Sequence, residues 1–196
     1  MAPRQPPGKY LVKRIFFFAT RNCTRYSCAL YFRTVSDTPE KKITDPAAAL
    51  AKAQRWCAFQ ERSQQETRDK LYSWGLWPEA IENIIAELIS SNFLNEERFA
   101  GAFVSGKFRI KQWGRIKIKQ ELKQHRVSEP IIRKALAGID SGEYYRTLQK
   151  TAQKKARTEK EKHPQKRKYK LMRYLISRGF EQDLVREVVD ELLQEE

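Results

Sequence analysis

The stretch LYSWGLWPEAIENII, residues 71–85, contains a pattern that occurs three times in the chain. Counted from Leu71, the pattern places a glycine at +4 and apolar residues at +5, +10 and +14. The same offsets recur in LKQHRVSEPIIRKAL, residues 122–136, with an arginine in place of the glycine, and in LISRGFEQDLVREVV, residues 175–189. Each copy predicts a helix, a tight turn followed by an apolar residue, and a second helix that packs on the first.

A further amphipathic segment precedes each copy. These segments are rich in Ala, Glu, Gln, Lys and Arg, with apolar residues three and four positions apart, and they lie near 47–60, 95–110 and 142–160. Because short helices cannot bury their apolar faces alone, we predict an all-α fold of three tandem three-helix repeats, stacked into an elongated, curved body. The predicted domain covers 46–196, with repeats at about 47–90, 95–138 and 142–193.

Residues 1–45 differ in composition from the rest of the chain. The first 36 residues contain seven basic residues and no Asp or Glu, so we predict a flexible basic N-terminal arm. A transit peptide and an over-extended gene start are alternatives, although no small-residue cleavage site follows the apolar IFFFA at 15–19. No apolar run reaches the roughly 18 residues that span a bilayer, so we expect a cytoplasmic protein without membrane contact.

The overall charge favours an anionic partner. The 196 residues include 39 Lys and Arg against 24 Asp and Glu, a formal charge of +15, and such a field attracts polyanions. The sequence has no glycine-rich phosphate loop, no nucleophile elbow and no Cys/His metal set, and the acidic pair Glu96 and Glu97 is typical of a helix start. Cys23, Cys28 and Cys57 match no metal spacing, which indicates free thiols. We therefore predict a protein that is not an enzyme and holds no cofactor or metal.

The stretch KFRIKQWGRIKIKQELKQHRV, residues 107–127, holds eight Lys and Arg against one Glu. On a helix, Arg115, Lys119 and Lys123 form a row beside a buried seam. A solvated face is one interpretation, because lysine methylenes can cover a seam, but like charges four residues apart repel and favour an anionic partner. Protein carboxylates and phosphates are both open as that partner. The predicted binding residues, which include a second basic cluster, are Lys107, Arg109, Lys111, Arg115, Lys119, Lys123, Arg126, Lys166, Arg167, Lys168 and Lys170.

Three motifs carry a family resemblance: LNEERFAGAFV at 94–104, WGRIKIKQELKQHRV at 113–127 and YLISRGF at 174–180. Their order and spacing resemble the RecX family of recombination regulators over most of 47–193. The resemblance implies a three-helix-repeat fold without catalytic activity, which binds the bacterial RecA recombinase filament on DNA and restrains its growth, ATP turnover and strand exchange. Arg126 stands where the family tends to have glycine, and Asn95 where an acid is more usual.

The resemblance makes the RecA filament the first expected partner of a monomeric chain and DNA the second. The alternative is a general nucleic-acid-binding helical module without recombinase specificity. Single-strand binders stack bases on aromatic side chains along a basic face. The tryptophans of this chain fall instead at turns and seams, at positions 56, 74, 77 and 113.

Overall fold

The computed structural model describes residues 42–43 and 45–194. Within these residues the backbone forms nine α-helices and no strand, which confirms the predicted all-α class. Most of the predicted arm, with IFFFA and two of the three cysteines, lies outside the described residues. The helices are α1 (Pro46–Phe59), α2 (Gln64–Ser73), α3 (Pro78–Ser90), α4 (Glu96–Arg109), α5 (Arg115–Gln124), α6 (Glu129–Ala137), α7 (Ser141–Thr158), α8 (Pro164–Ser177) and α9 (Gln182–Gln194).

The turn after the second helix of each repeat has one hydrogen-bond pattern. In the first repeat the Leu76 amide donates to the Leu71 carbonyl at 3.4 Å, and the Gly75 amide donates to the Tyr72 carbonyl at 2.9 Å. The later repeats form both bonds again: Val127 to Leu122 at 3.2 Å, Arg126 to Lys123 at 3.0 Å, Phe180 to Leu175 at 3.3 Å and Gly179 to Ile176 at 2.9 Å. This paired arrangement ends a helix on a left-handed residue. The helix, turn and helix predicted from the repeated offsets are confirmed in all three copies.

The left-handed position of the second turn is occupied by an arginine. Its φ is 56° at Arg126, against 89° at Gly75 and 90° at Gly179. A side chain with a Cβ disfavours this conformation by about 1–2 kcal/mol, whereas glycine adopts it freely. The second turn therefore has the same geometry as the other two in spite of its arginine, and it stores backbone strain.

We expect Arg126→Gly to raise the free energy of unfolding by about 1 kcal/mol, because relief of the left-handed strain exceeds the extra entropy of glycine in the unfolded chain. Urea denaturation followed by circular dichroism measures the change. Arg133→Gly, on the exposed face of α6, is the matched control. It should lower stability by about 1 kcal/mol, as glycine does within a helix. A lower stability of Arg126→Gly than of the wild type would contradict the assignment of backbone strain to Arg126.

Buried apolar side chains form two separate clusters among the described residues. One runs from Ala49 to Leu94 and contains residues of the first repeat and of the connection that follows it. The other runs from Phe99 to Val189 and contains residues of the second and third repeats together. Aromatic rings link those two repeats, since the Tyr144 ring centroid lies 5.9 Å from that of Phe108 and 5.4 Å from that of Phe180. The last two repeats thus share one core, while the first has its own.

A close backbone contact also joins the last two repeats. The Gly114 amide donates to the Arg178 carbonyl at 2.9 Å, and the Ile116 amide donates to the Gly179 carbonyl at 3.0 Å. Amides at the start of a helix have no partner within that helix, so the turn of the third repeat supplies the acceptors that α5 lacks. A Cβ built on Gly114 would overlap the Gly179 carbonyl, so the contact requires glycine at this position.

The residues just before α1 make a similar contact with the first turn. The Ile43 amide donates to the Trp74 carbonyl at 2.9 Å, and Trp74 caps α2 as Arg178 caps α8. The Lys42 side chain lies beside Gly75. Sequence patterning assigns Lys42 and Ile43 to the arm, yet they pack on the first repeat. Deletion of residues 1–40 therefore keeps this contact, whereas deletion of residues 1–44 removes it.

Candidate interaction surface

The cationic row on α5 lies beside a fully buried seam, as the helical wheel predicts. Gly114, in an extended conformation, is the N-cap of α5. Ile118 and Leu122 have no exposed surface, whereas the side chains of Lys119 and Lys123 are 40% and 55% exposed. The two lysines lie one helical turn apart and reach solvent on the same side of the helix. They are available to a partner without any rearrangement of the core.

An acid of the neighbouring helix already accompanies these lysines. Both Lys119 and Lys123 form ion pairs with Glu129 at the start of α6, the latter at 3.3 Å. The Lys119 ammonium, and after it that of Lys123, lowers the pKa of the Glu129 carboxyl. The predicted repulsion along the row is therefore relieved in part within the chain. These two lysines therefore need an external anion less than the sequence alone indicates.

Arg115 has a structural role that sequence reasoning missed. Its guanidinium lies 4.2 Å from the centroid of the Tyr144 ring and donates to the Ile139 carbonyl at 3.4 Å. The Tyr144 hydroxyl accepts from the Arg115 amide at 3.1 Å and donates to Glu181 at 2.5 Å. Burial, and then the Glu181 carboxylate, raise the pKa of the Tyr144 phenol. Replacement of Arg115 would disturb this network, so the row available to a partner is Lys119 with Lys123.

Two lysines share the indole of Trp113 at the junction of α4 and α5. The ammonium groups of Lys107 and Lys117 lie 4.8 Å and 4.5 Å from the Trp113 ring centroid. Lys117 is absent from the predicted site, although it belongs to the same basic stretch. Arg109 lies 3.9 Å from Glu143 and Lys111 is exposed, so this end of α4 presents several cations to solvent.

Two of the four predicted cations of the third repeat form ion pairs with acids. Lys168 pairs with Asp190, and Lys170 pairs with Glu161 at 2.9 Å, which raises the pKa of the Lys170 ammonium. Lys166 is exposed and Arg167 is half-buried. These residues lie in the first half of α8, and α5 contacts the turn that follows its end. Roughly 12–18 Å of helix separates them from that contact.

The paired carboxylates considered for catalysis are not arranged as a reactive pair. Glu97 binds Lys134 of α6 at 2.7 Å. Burial raises the pKa of the Glu96 carboxyl, while Arg68 acts in the opposite direction. Their place at the start of α4, with the Asn95 side chain accepting from the Arg98 amide at 3.0 Å, is that of ordinary helix-start residues.

The three repeats match family models one by one. Residues 49–88 match the first three-helix domain of RecX, residues 95–136 match the second, and residues 142–189 match the third. The chain belongs to the RecX family. The matched boundaries follow the three helix triplets of the structure, and all three motifs that carry the resemblance lie almost wholly within them.

Sequence relatives agree with the RecX models. A regulatory protein RecX of Prosthecochloris aestuarii is 34% identical over 76% of this chain and 97% of its own length. One from Clostridium perfringens is 36% identical over 69% of this chain and 64% of its own length. These relatives are named regulatory proteins rather than enzymes, and the predicted regulatory role is confirmed at that level.

Solved structures agree on the fold. The crystal structure of RecX from Lactobacillus salivarius superposes with a TM-score of 0.68 at 22% identity, covering 75% of this chain and 96% of that one. Within residues 42–43 and 45–194, no helix is long and apolar enough to cross a bilayer. The same residues contain no cluster of acidic, cysteine and histidine side chains suited to a metal ion.

Proposed function

We propose that this RecX chain binds the RecA recombinase filament on DNA and restrains its growth, ATP hydrolysis and strand exchange. It would do so in the cytoplasm, during DNA repair and recombination, as a monomer without catalytic chemistry of its own. The match of all three helical repeats to RecX models, each over nearly its full triplet, is the observation that carries the proposal. The exposed cations on α4, α5 and α8 support an anionic or acidic partner.

Direct contact between DNA and the exposed Arg126 and Lys166 is the second proposed role. A general nucleic-acid-binding module is the alternative function, and a pull-down of recombinase with and without nuclease separates the two. We expect recombinase to remain bound after nuclease treatment, because the main proposed contact is directly with the recombinase protein. Complete loss of recombinase after nuclease would instead favour binding through nucleic acid.

We expect Lys119→Glu/Lys123→Glu to raise the concentration needed for half-inhibition of recombinase ATP hydrolysis about tenfold. Exposed charge pairs contribute about 0.5–1 kcal/mol each, so the loss of two corresponds to roughly one decade. Arg115 is left out of this variant because its guanidinium packs on the Tyr144 ring. The assay is ATP hydrolysis on single-stranded DNA at fixed salt, and a shift of less than twofold would remove the row from the mechanism.

The control for this prediction is Lys150→Glu/Lys154→Glu on α7, which changes the net charge equally at exposed positions. It should inhibit like the wild type.

The salt dependence of DNA binding then identifies the ligand of the row. If the lysines meet phosphate, each lost contact lowers the salt slope by about one unit, whereas contact with acidic protein leaves the slope nearly unchanged. We expect the unchanged slope.

A further inference from the structure

A groove on α4 has features that the proposed function leaves unused. It has a volume of about 290 Å³ and lies where α4 meets the connection between α1 and α2. Its centre is apolar, and its rim contains one lysine of α4 and one that follows the helix. Its lining includes Phe99, Phe103, Gly106, Ile110, Lys107 and Lys111.

The groove holds apolar surface that the described chain does not cover. Ile110 is 78% exposed at the end of α4. Phe99 and Phe103 line the same groove. Single exposed apolar residues are common, but one that continues an apolar concave surface is typical of a site for another molecule.

Gly106 gives direct access to the helix backbone within the groove. A Cβ built at this position would have no neighbour within 4 Å. Glycine is unfavourable inside a helix, and here no internal contact requires it. The missing side chain leaves room for an apolar group of a partner between Phe103 and Ile110.

The wall of the groove is held in place by the second repeat. The Phe103 ring lies 5.6 Å from that of Phe99, and both pack edge-on against His125, at 5.3 Å and 5.4 Å. The ammonium of Lys107 lies 4.8 Å from the Phe103 centroid. A preorganised wall of this kind requires little ordering when a ligand binds.

The charge of the rim indicates the chemistry of the occupant. Lys107 and Lys111 are positive, while the carboxylate of Glu61 is engaged by Arg98 at 2.9 Å. The N-terminal segment of this chain has the same sign of charge, since residues 1–36 include no acid. A single-stranded polynucleotide would need a free aromatic face for its bases, but the Phe103 ring is already contacted by His125 and by the Lys107 ammonium. An acidic protein segment with one bulky apolar side chain matches both the rim and the apolar centre.

We propose that the groove at Gly106 binds an acidic segment of the recombinase, with a bulky apolar side chain of that segment placed between Phe103 and Ile110. This inference rests on the proposed function, because it takes the recombinase as the partner. It adds a surface in which none of the α5 lysines takes part. Loss of either surface would then weaken filament binding independently of the other.

The test measures binding of the full chain to recombinase filaments assembled on immobilised single-stranded DNA. Gly106→Leu fills the groove, and Lys111→Glu reverses a charge on its rim. Gly101→Leu is the matched control, because Gly101 also lies within α4, also has open space around its Cβ position and is outside this groove. Thermal unfolding should show Gly106→Leu and Gly101→Leu folded at least as stably as the wild type.

We expect about tenfold weaker filament binding for Gly106→Leu, about fivefold for Lys111→Glu and less than twofold for Gly101→Leu. If both groove variants bind filaments as tightly as the wild type, the groove is not a binding site for the recombinase, and the proposed function stands. Equal weakening by Gly106→Leu and Gly101→Leu also overturns it, because the effect would then follow from α4 in general. Absence of filament binding by the wild type would defeat the proposed function and this inference together. A wild-type dimer that Gly106→Leu dissociates would identify a second copy as the occupant and contradict the recombinase segment.

Discussion

Gly114→Ala is expected to lower the free energy of unfolding of the last two repeats by about 3 kcal/mol or more. The added Cβ would overlap the Gly179 carbonyl and the Phe180 amide, so the start of α5 must move away from the third turn. That movement breaks the bonds that join Gly114 and Ile116 to this turn, at 2.9 Å and 3.0 Å. Overpacking contributes about 1–3 kcal/mol and each broken bond about 0.5–1.5 kcal/mol.

The cause of this effect is crowding rather than backbone conformation. Gly114 has φ −76° and ψ 164°, values that alanine adopts without strain. The control Gly101→Ala places the same methyl group where nothing lies within 4 Å, and it should raise stability by up to about 1 kcal/mol. Urea denaturation of the two variants makes the comparison. A Gly114→Ala variant as stable as the wild type would show that the repeats tolerate a wider separation.

Phe180→Ala is expected to lower the free energy of unfolding by about 3–5 kcal/mol, the range for removal of a buried phenylalanine ring. The Phe180 side chain has no exposed surface, and its ring lies 5.4 Å from that of Tyr144, which stacks on Phe108 of the second repeat. Its loss leaves a cavity in the core that these repeats share. The first repeat should keep its protection from hydrogen exchange, because its core contains no residue of the other two.

Hydrogen exchange measured by mass spectrometry tests both parts of this expectation, since it reports each repeat separately. Phe59→Ala removes the same ring from a position that is 87% exposed, and it should leave stability within about 0.5 kcal/mol. Uniform loss of protection over all three repeats would show that the two cores unfold as one unit.

Amino-acid pattern alone predicted the helices, the three turns and the residues that fill the seams. Leu71, Leu122 and Leu175 begin the three copies of the repeated pattern, and each is fully buried. These features depend on contacts between residues close in the chain, whose spacing appears directly in the sequence. The position of the basic row beside its seam was predictable for the same reason.

The tertiary structure decided which repeats share a core and which cations remain available. Three copies of one pattern suggest three equivalent units, but the contact between Gly114 and Gly179 and the stacking of Tyr144 on Phe108 join only the second and third. The partners of Arg115 and Lys119, Tyr144 and Glu129, likewise belong to other helices. Such contacts depend on how separate helices pack in space. The period of an amphipathic helix specifies which face is buried, but it carries no information on what that face or its rim will meet.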